Sequence, residues 1–221
     1  MTGMRQCCII PLLLLIACAD AWAQTLPADI TDQPPATEAS KEEAWEFSIS
    51  AYTYIVPNSH EYVQPTITAD RGWLHLEARY NYEDQETGSV WLGYNFSFGD
   101  KLTVELTPML GGVFGNTTGI APGYKASISY WKLNLYTEGE YVFDVGNTSD
   151  NFFYTWTELT LSPVDWLRVG LVIQRTKAYD TDFDIQHGFL IGVSYKGFDF
   201  ATYVLNPEED PTFVFAVALH F

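Results

Sequence analysis

The chain has 221 residues and a formal net charge of -17 at pH 7, and 47% of its residues are hydrophobic. So strong an excess of acid excludes nucleic acid as a partner, because phosphate backbones are bound by lysine and arginine. The length allows one domain of about 180 residues after the N-terminal segments.

The first 23 residues have the form of an export signal. Arg5 is followed by an apolar run from Ile9 to Ala17 and then by Ala21-Trp22-Ala23, which fits an A-x-A cleavage site. The run is too short to span a bilayer as a helix. We therefore predict a signal peptide over residues 1–23. A second interpretation stays open: Leu15-Ile16-Ala17-Cys18 resembles a lipoprotein signal, whose cleavage would leave a lipid-bearing Cys18 at the N-terminus.

All cysteines of the chain lie in this leader, at Cys7, Cys8 and Cys18. Cleavage after Ala23 would therefore leave a mature protein without disulfide bonds or cysteine-bound metals. The next segment, residues 24–44, combines several prolines, small polar residues and a charged cluster, without a sustained apolar period. This composition predicts a flexible periplasmic lead-in.

From Trp45 onward the sequence divides into extended segments in which apolar and polar residues alternate, the period of a β-strand. Their length of about nine to twelve residues is that of a tilted strand crossing a bilayer. Tight turns alternate with longer polar loops, as in an up-and-down barrel. Ten strands remain an alternative if one hairpin is a loop excursion. We predict twelve, at 45–55, 61–70, 73–83, 88–98, 101–112, 122–130, 133–144, 152–162, 166–176, 184–195, 198–206 and 212–221.

The last segment, from Thr212 to Phe221, is alternating and ends on an aromatic residue. It resembles the closing strand of outer-membrane β-barrel proteins of Gram-negative bacteria, and the resemblance extends over residues 45–221. It implies an all-β fold, a single closed antiparallel up-and-down transmembrane barrel in the cell outer membrane. It also implies two partners: the outer-membrane lipid, and the barrel-assembly machinery through the strand that ends at Phe221.

Each predicted strand has one apolar face and one polar face. One face carries large apolar side chains, such as Leu74, Leu76 and Tyr80, and the other carries polar ones, such as His75 and Glu77. A secreted β-sandwich also alternates, but its enclosed face would then be polar and costly to dehydrate. A wet lumen accepts such a face, which favours the membrane barrel.

Aromatic residues gather at the strand ends, where interfacial girdles form. Tyr82 and Phe143 are expected to face lipid at the outer end. Pro65 and Pro108 do not suit a strand without a free edge, because proline cannot donate a ladder hydrogen bond. We predict a bulge or a local break beside each proline.

Extending the register across the turns predicts a charge ladder in the lumen. Lys125 is expected opposite Glu138, Glu138 opposite Glu158, and Arg168 one diagonal step from Glu158. These charges either pair with one another as packing or form a constriction that selects solutes. The ladder comprises Lys125, Glu138, Glu140, Glu158 and Arg168, and a second cluster comprises Gln64, His75, Glu77 and Arg79.

Aromatic residues also point inward in this register. They could block the lumen, or form a surface on which sugars and other flat solutes stack. Inward acids outnumber inward bases, so a conducting lumen should favour neutral or cationic solutes. The inward aromatic residues are Tyr52, Tyr54, Trp91, Tyr136, Tyr154 and Trp156.

The sequence favours a passive channel for small solutes, with two alternatives left open: a structural or plugged barrel acting through its loops, and an outer-membrane hydrolase. For a hydrolase, His187 has no serine beside it on the same face, and Ser59 and His60 are direct neighbours instead of a spaced pair. We therefore predict no catalytic residues. No metal-ligand spacing or nucleotide motif is present, so no metal site or cofactor is expected.

Overall fold

The structure is a computed structural model that describes residues 43–57, 61–145, 151–178, 184–208 and 210–221. The predicted signal peptide, Cys18, the lead-in as far as residue 42 and the Ser59-His60 pair lie outside these ranges. Within them, no helix has the length and apolarity needed to cross a membrane. The strands are β1 (Glu46–Ile55), β2 (Tyr62–Arg71), β3 (Leu74–Tyr80), β4 (Thr87–Tyr94), β5 (Phe96–Phe98), β6 (Leu102–Gly115), β7 (Gly119–Tyr130), β8 (Leu133–Asp144), β9 (Phe152–Val164), β10 (Leu167–Ala178), β11 (Asp184–Tyr195), β12 (Phe198–Leu205) and β13 (Thr212–His220).

Neighbouring strands are antiparallel, and the sheet closes on itself because β1 pairs with β13. β4 and β5 are two parts of one wall strand, since both pair with β6 and only Asn95 separates them. In the described ranges the wall therefore has twelve strands. The predicted closed up-and-down barrel of twelve strands is confirmed, and the alternative of ten is wrong.

Burial alternates along the strands as the sequence predicted. On β3, Leu76 and Tyr80 are exposed, whereas His75, Glu77 and Arg79 are buried. Exposed leucine, isoleucine, valine and phenylalanine side chains recur around the whole wall. A belt of this extent is unfavourable in water and stable against hydrocarbon. The β-sandwich alternative is wrong, because the apolar rows cover the outside of one closed sheet instead of filling the space between two sheets.

Two prolines lie beside interruptions in the hydrogen-bonded ladders. Pairing between β2 and β3 stops at Thr66, next to Pro65, and the break at Asn95 lies beside Pro108 of β6. The predicted local breaks are therefore confirmed. Neither is a bulge, because β1 and β2 keep their register through Pro65 and β6 keeps the same register with β4 and β5.

β3 ends earlier than predicted, at Tyr80. Asn81 has a left-handed backbone conformation with φ 56°, which asparagine tolerates better than most residues. The alternation of side chains is broken there, and Tyr82 points into the lumen, where its hydroxyl donates a hydrogen bond to Glu138. The prediction that Tyr82 faces lipid is therefore wrong.

Of two further connections, one is shorter than predicted and the other lies where it was predicted. β6 continues to Gly115 and β7 begins at Gly119, so the loop expected at 113–121 shortens to 116–118. The two-residue turn at Trp131 and Lys132 is present although neither residue is a common turn former. Trp131 there adopts a left-handed conformation with φ 55°.

A positive charge in the lipid-facing belt should destabilise the barrel. Leu171 lies near the middle of β10 and is 62% exposed. Leu171→Arg is expected to cost about 2–4 kcal/mol, because hydrocarbon does not solvate the guanidinium. Reversible urea unfolding in lipid vesicles measures this loss. The matched control is Trp131→Arg in a tight turn, where the expected cost is only about 0–1 kcal/mol; equal losses in the two variants would contradict a lipid-facing belt.

Candidate functional site: the barrel lumen

The lumen contains a cavity of about 520 Å³. Serine and asparagine side chains line its tight-turn end, and tyrosines line it toward the long loops. The lining consists of the inward side chains, which are every second residue along a strand. The predicted site residues in this lining are Gln64, Glu77, Lys125, Glu138, Glu158, Arg168, Tyr52, Tyr54, Tyr136, Tyr154 and Trp156, while those buried elsewhere in the lumen are His75, Arg79, Glu140 and Trp91.

Arg79 is the centre of a buried ion-pair network. Its Nε donates to Glu77, and its Nη1 donates to Glu140 Oε2 at 2.6 Å. The guanidinium also lies over the rings of Tyr82 and Trp91, 4.3 and 4.6 Å from their centroids. One arginine therefore neutralises charge on β3 and β8 and stacks on two aromatic rings.

Glu77 accepts further hydrogen bonds that extend this network. Its Oε2 is bonded by Lys125 and lies 3.0 Å from His75 Nε2. The other ring nitrogen of His75, Nδ1, lies 2.7 Å from Asp70 Oδ1. The structure thus brings His75, Glu77 and Arg79 of the second predicted cluster together, whereas Gln64 lines the cavity on β2.

The predicted charge ladder is wrong in part of its register. Lys125 lies opposite Glu138 in the β7–β8 pairing, but its ammonium is bonded to Glu77 on β3. Glu138 lies opposite Trp156 instead of opposite Glu158. The connection between β8 and β9, residues 145–151, is too long to be a two-residue turn, so the sequence did not fix how these strands align.

Arg168 departs from the predicted ladder as well. Its two Nη atoms donate to the carboxylate of Asp199 on β12, one of them at 2.6 Å. The predicted position of Arg168, one diagonal step from Glu158, is wrong: Glu158 lies opposite Val172, because β9 continues past Pro163 and the turn lies at 165–166. A register shift between Leu167 and Val169 adds to the difference.

Two lumenal glutamates are held by neutral donors. Glu138 accepts hydrogen bonds of 2.6 Å from the hydroxyls of Tyr82 and Tyr136. Glu158 Oε1 accepts 2.8 Å from Trp156 Nε1 and 2.9 Å from the Tyr203 hydroxyl. Neither glutamate takes part in an ion pair within the part of the chain that the structure describes.

The inward aromatic rings contact one another. Trp156 and Tyr203 lie edge to face with centroids 5.2 Å apart, and Tyr52 contacts both rings at 6.4 and 6.1 Å. Tyr82 lies edge to face against Tyr154 at 5.2 Å. Sequence reasoning missed Tyr203, although it follows Asp199 at even spacing on the inward face of β12. Tyr82 was missed because the left-handed Asn81 precedes it.

Two further histidines lie in the described ranges. His187 and His220 are exposed, and His187 lies on β11 among outward-facing residues. Across the described ranges, no group of three or more histidine, cysteine, aspartate or glutamate side chains is arranged to hold a metal ion.

Comparison with known proteins gives a structural likeness. No protein-family model matches the chain, and no curated protein sequence matches it. Among solved structures, a KdgM porin superposes with a TM-score of 0.56 at 11% identity, and KdgM porin in complex with disordered oligogalacturonate superposes with 0.57 at 12%. Each match covers 79% of this chain and 99% of the other. The chain has the barrel fold of these porins.

Loss of the Arg79 guanidinium should be far more costly than loss of the less buried Arg168 guanidinium. Arg79→Met leaves Glu77 and Glu140 without their shared cation in a buried site, with an expected cost of about 3–5 kcal/mol. The same change at Arg168, whose pair with Asp199 is partly exposed, should cost about 1 kcal/mol. Urea unfolding compares the two, and a larger loss at Arg168 would argue against the Arg79 network as the main buried ion-pair site.

Proposed function

We propose that this chain is a porin-like channel of the outer membrane that passes small neutral or cationic solutes. The supporting observation is the combination of a polar cavity of about 520 Å³ inside the barrel with an apolar belt outside it. A barrel of this kind encloses a path for water-soluble molecules while its wall stays in lipid. The likeness to KdgM porins adds support, because those proteins have the same barrel architecture.

The charges around the cavity favour cations. Among the described residues, four glutamates line it, Glu77, Glu105, Glu138 and Glu158, against two bases. Both bases are already engaged, Lys125 with Glu77 and Arg168 with Asp199. Glu138 and Glu158 have no ion-pair partner among the described residues, and a lumen with an excess of acids concentrates cations and repels anions.

The proposed solutes differ from the ligand in one of the similar structures. A KdgM porin is described in complex with oligogalacturonate, whose sugars carry carboxylates. In this chain such a polyanion would meet a lining in which glutamates outnumber bases, so its passage is electrostatically unfavourable. We propose that the shared fold serves a different solute class here.

A plugged barrel is the second candidate, and buried aromatic rings favour it. Tyr54, Tyr154, Trp156 and Tyr203 are each at most 7% exposed, so they narrow the lumen toward the long loops. We propose no catalytic role, since neither exposed histidine belongs to a set of groups that could act together. Conduction separates a narrow channel from a plugged scaffold.

Planar-bilayer recording with the purified, refolded protein tests the channel directly. Wild type should conduct and prefer potassium over chloride. Glu158→Gln should reduce that preference by at most about fivefold, because one charge about 4 Å from an ion in water contributes about 1 kcal/mol. The matched control is Asp165→Asn, which removes one negative charge in an exposed turn outside the lumen and should change nothing. Absence of any conductance would contradict the channel and favour the plugged scaffold.

A further inference from the structure

The connection between β3 and β4, residues 81–86, folds toward the lumen instead of projecting from the barrel. We call it the β3–β4 loop. Its two ends have left-handed backbone conformations, φ 56° at Asn81 and φ 55° at Glu86. Asn81 ties the ends together: its N–H donates to Thr87 O at 2.8 Å, and its Oδ1 accepts the Glu86 N–H at 2.9 Å. Asn81 Nδ2 also donates to Val63 O of β2 at 3.1 Å.

The tip of this loop inserts two side chains among the buried charges. Tyr82 lies beneath the Arg79 guanidinium and against the ring of Tyr154, and its hydroxyl donates to Glu138. Glu83 is only 5% exposed. The loop therefore occupies the long-loop end of the lumen, next to the cavity that Tyr82 helps to line.

The inserted Glu83 carboxyl has no ion-pair partner among the described residues. Within those residues neither of its oxygens, nor Oε1 of Glu140, has a hydrogen-bond partner at ordinary geometry, although the Ser89 hydroxyl lies nearby. Arg79 is already bonded to Glu77 and to the other oxygen of Glu140. An ionised carboxylate in this position would carry a large desolvation cost, which a bound proton removes.

Some groups around Glu83 raise the pKa of its carboxyl, and others lower it. Burial raises the pKa of the Glu83 carboxyl, and the Glu77 carboxylate adds to that rise, while the Arg79 guanidinium and the Ser89 hydroxyl oppose it. Acidic groups therefore face Glu83 from two elements of the wall. The charged and hydrogen-bonding groups around it are Glu77 and Arg79 on β3, Ser89 on β4, and Glu140 on β8.

We propose that the β3–β4 loop is a proton-controlled gate: it stays inserted while Glu83 carries a proton and leaves the lumen when Glu83 ionises. In the expelled state the Glu83 carboxyl is solvated and has the ordinary pKa of a glutamate. At a given pH the inserted state therefore binds more protons than the expelled state. Acid therefore favours insertion, and a rise in pH weakens it. Expulsion also withdraws the Tyr82 ring from between Arg79 and Tyr154, which extends the cavity toward the outer mouth.

Single-channel conductance measured from about pH 4 to pH 9 tests the gate, because this range begins at the ordinary pKa of glutamate and extends well above it. This readout depends on the proposed channel function. For wild type we expect conductance to rise with pH, with the ratio of open to closed states changing up to about tenfold per pH unit. Glu83→Gln replaces the protonated side chain with an uncharged one of the same shape, so this variant should stay closed at every pH.

Two further variants sharpen the result. Glu86→Gln removes a charge from an exposed residue of the same loop and should keep the wild-type profile. Glu140→Gln removes a negative neighbour of Glu83, so the opening transition should move to lower pH. A Glu83→Gln variant that keeps the pH response would overturn the gate, as would a response abolished by Glu140→Gln alone.

The channel and the gate can fail separately in this experiment. A wild type that conducts equally at every pH overturns the gate and leaves the channel standing. A wild type that conducts at no pH overturns both. Retained β-sheet circular dichroism in each variant shows that the barrel has folded, so that a closed Glu83→Gln channel is not mistaken for an unfolded one.

Discussion

Closure of the sheet between its first and last strands is the constraint on which the rest of the structure depends. In hydrocarbon an unpaired backbone N–H or C=O is too costly to leave exposed, so a sheet can cross a membrane only without an open edge. β1 and β13 pair along their length, and at the tight-turn end Phe47 and Phe221 exchange backbone hydrogen bonds of 2.8 and 2.9 Å. Once the sheet is closed, a side chain on the wall has only two environments, lipid or lumen.

The lumen must then accommodate every polar side chain that lipid rejects. The few bases serve several acids: Arg79 bonds both Glu77 and Glu140, and Lys125 is also engaged with Glu77. Neutral donors satisfy two further acids, since phenol and indole groups donate to Glu138 and Glu158. Neutral donors do not cancel the negative charge of the carboxylates. These carboxylates can therefore be fully hydrogen-bonded and still give the lumen a negative electrostatic potential.

The sequence was sufficient for the parts of the barrel that depend on a period of two. Strand number, the inward position of Glu77 and Arg79, and the ladder breaks beside Pro65 and Pro108 follow from alternation and from the missing proline N–H. The sequence was insufficient where one residue shifts the inward–outward alternation of side chains, as Asn81 does for Tyr82. It was also insufficient where a long connection does not determine the register of two strands, as between β8 and β9. Contacts across the lumen, such as Lys125 with Glu77, depend on closure and are not visible in local spacing.

The shortage of lumenal cations links solute selection to the loop. A carboxyl group enclosed in this barrel can be stabilised in three ways. A fixed cation stabilises Glu77, neutral hydrogen-bond donors stabilise Glu138, and we infer that a bound proton stabilises Glu83. An ion-paired carboxylate contributes little net charge to the lumen, whereas a carboxylate held by neutral donors attracts mobile cations. The third is stable only while the proton stays bound. Tyr82 links the second case to the third, because its hydroxyl donates to Glu138 and it precedes Glu83 on the β3–β4 loop. Ionisation of Glu83 that moves this loop therefore also removes a hydrogen-bond donor from Glu138, a carboxylate that attracts cationic solutes.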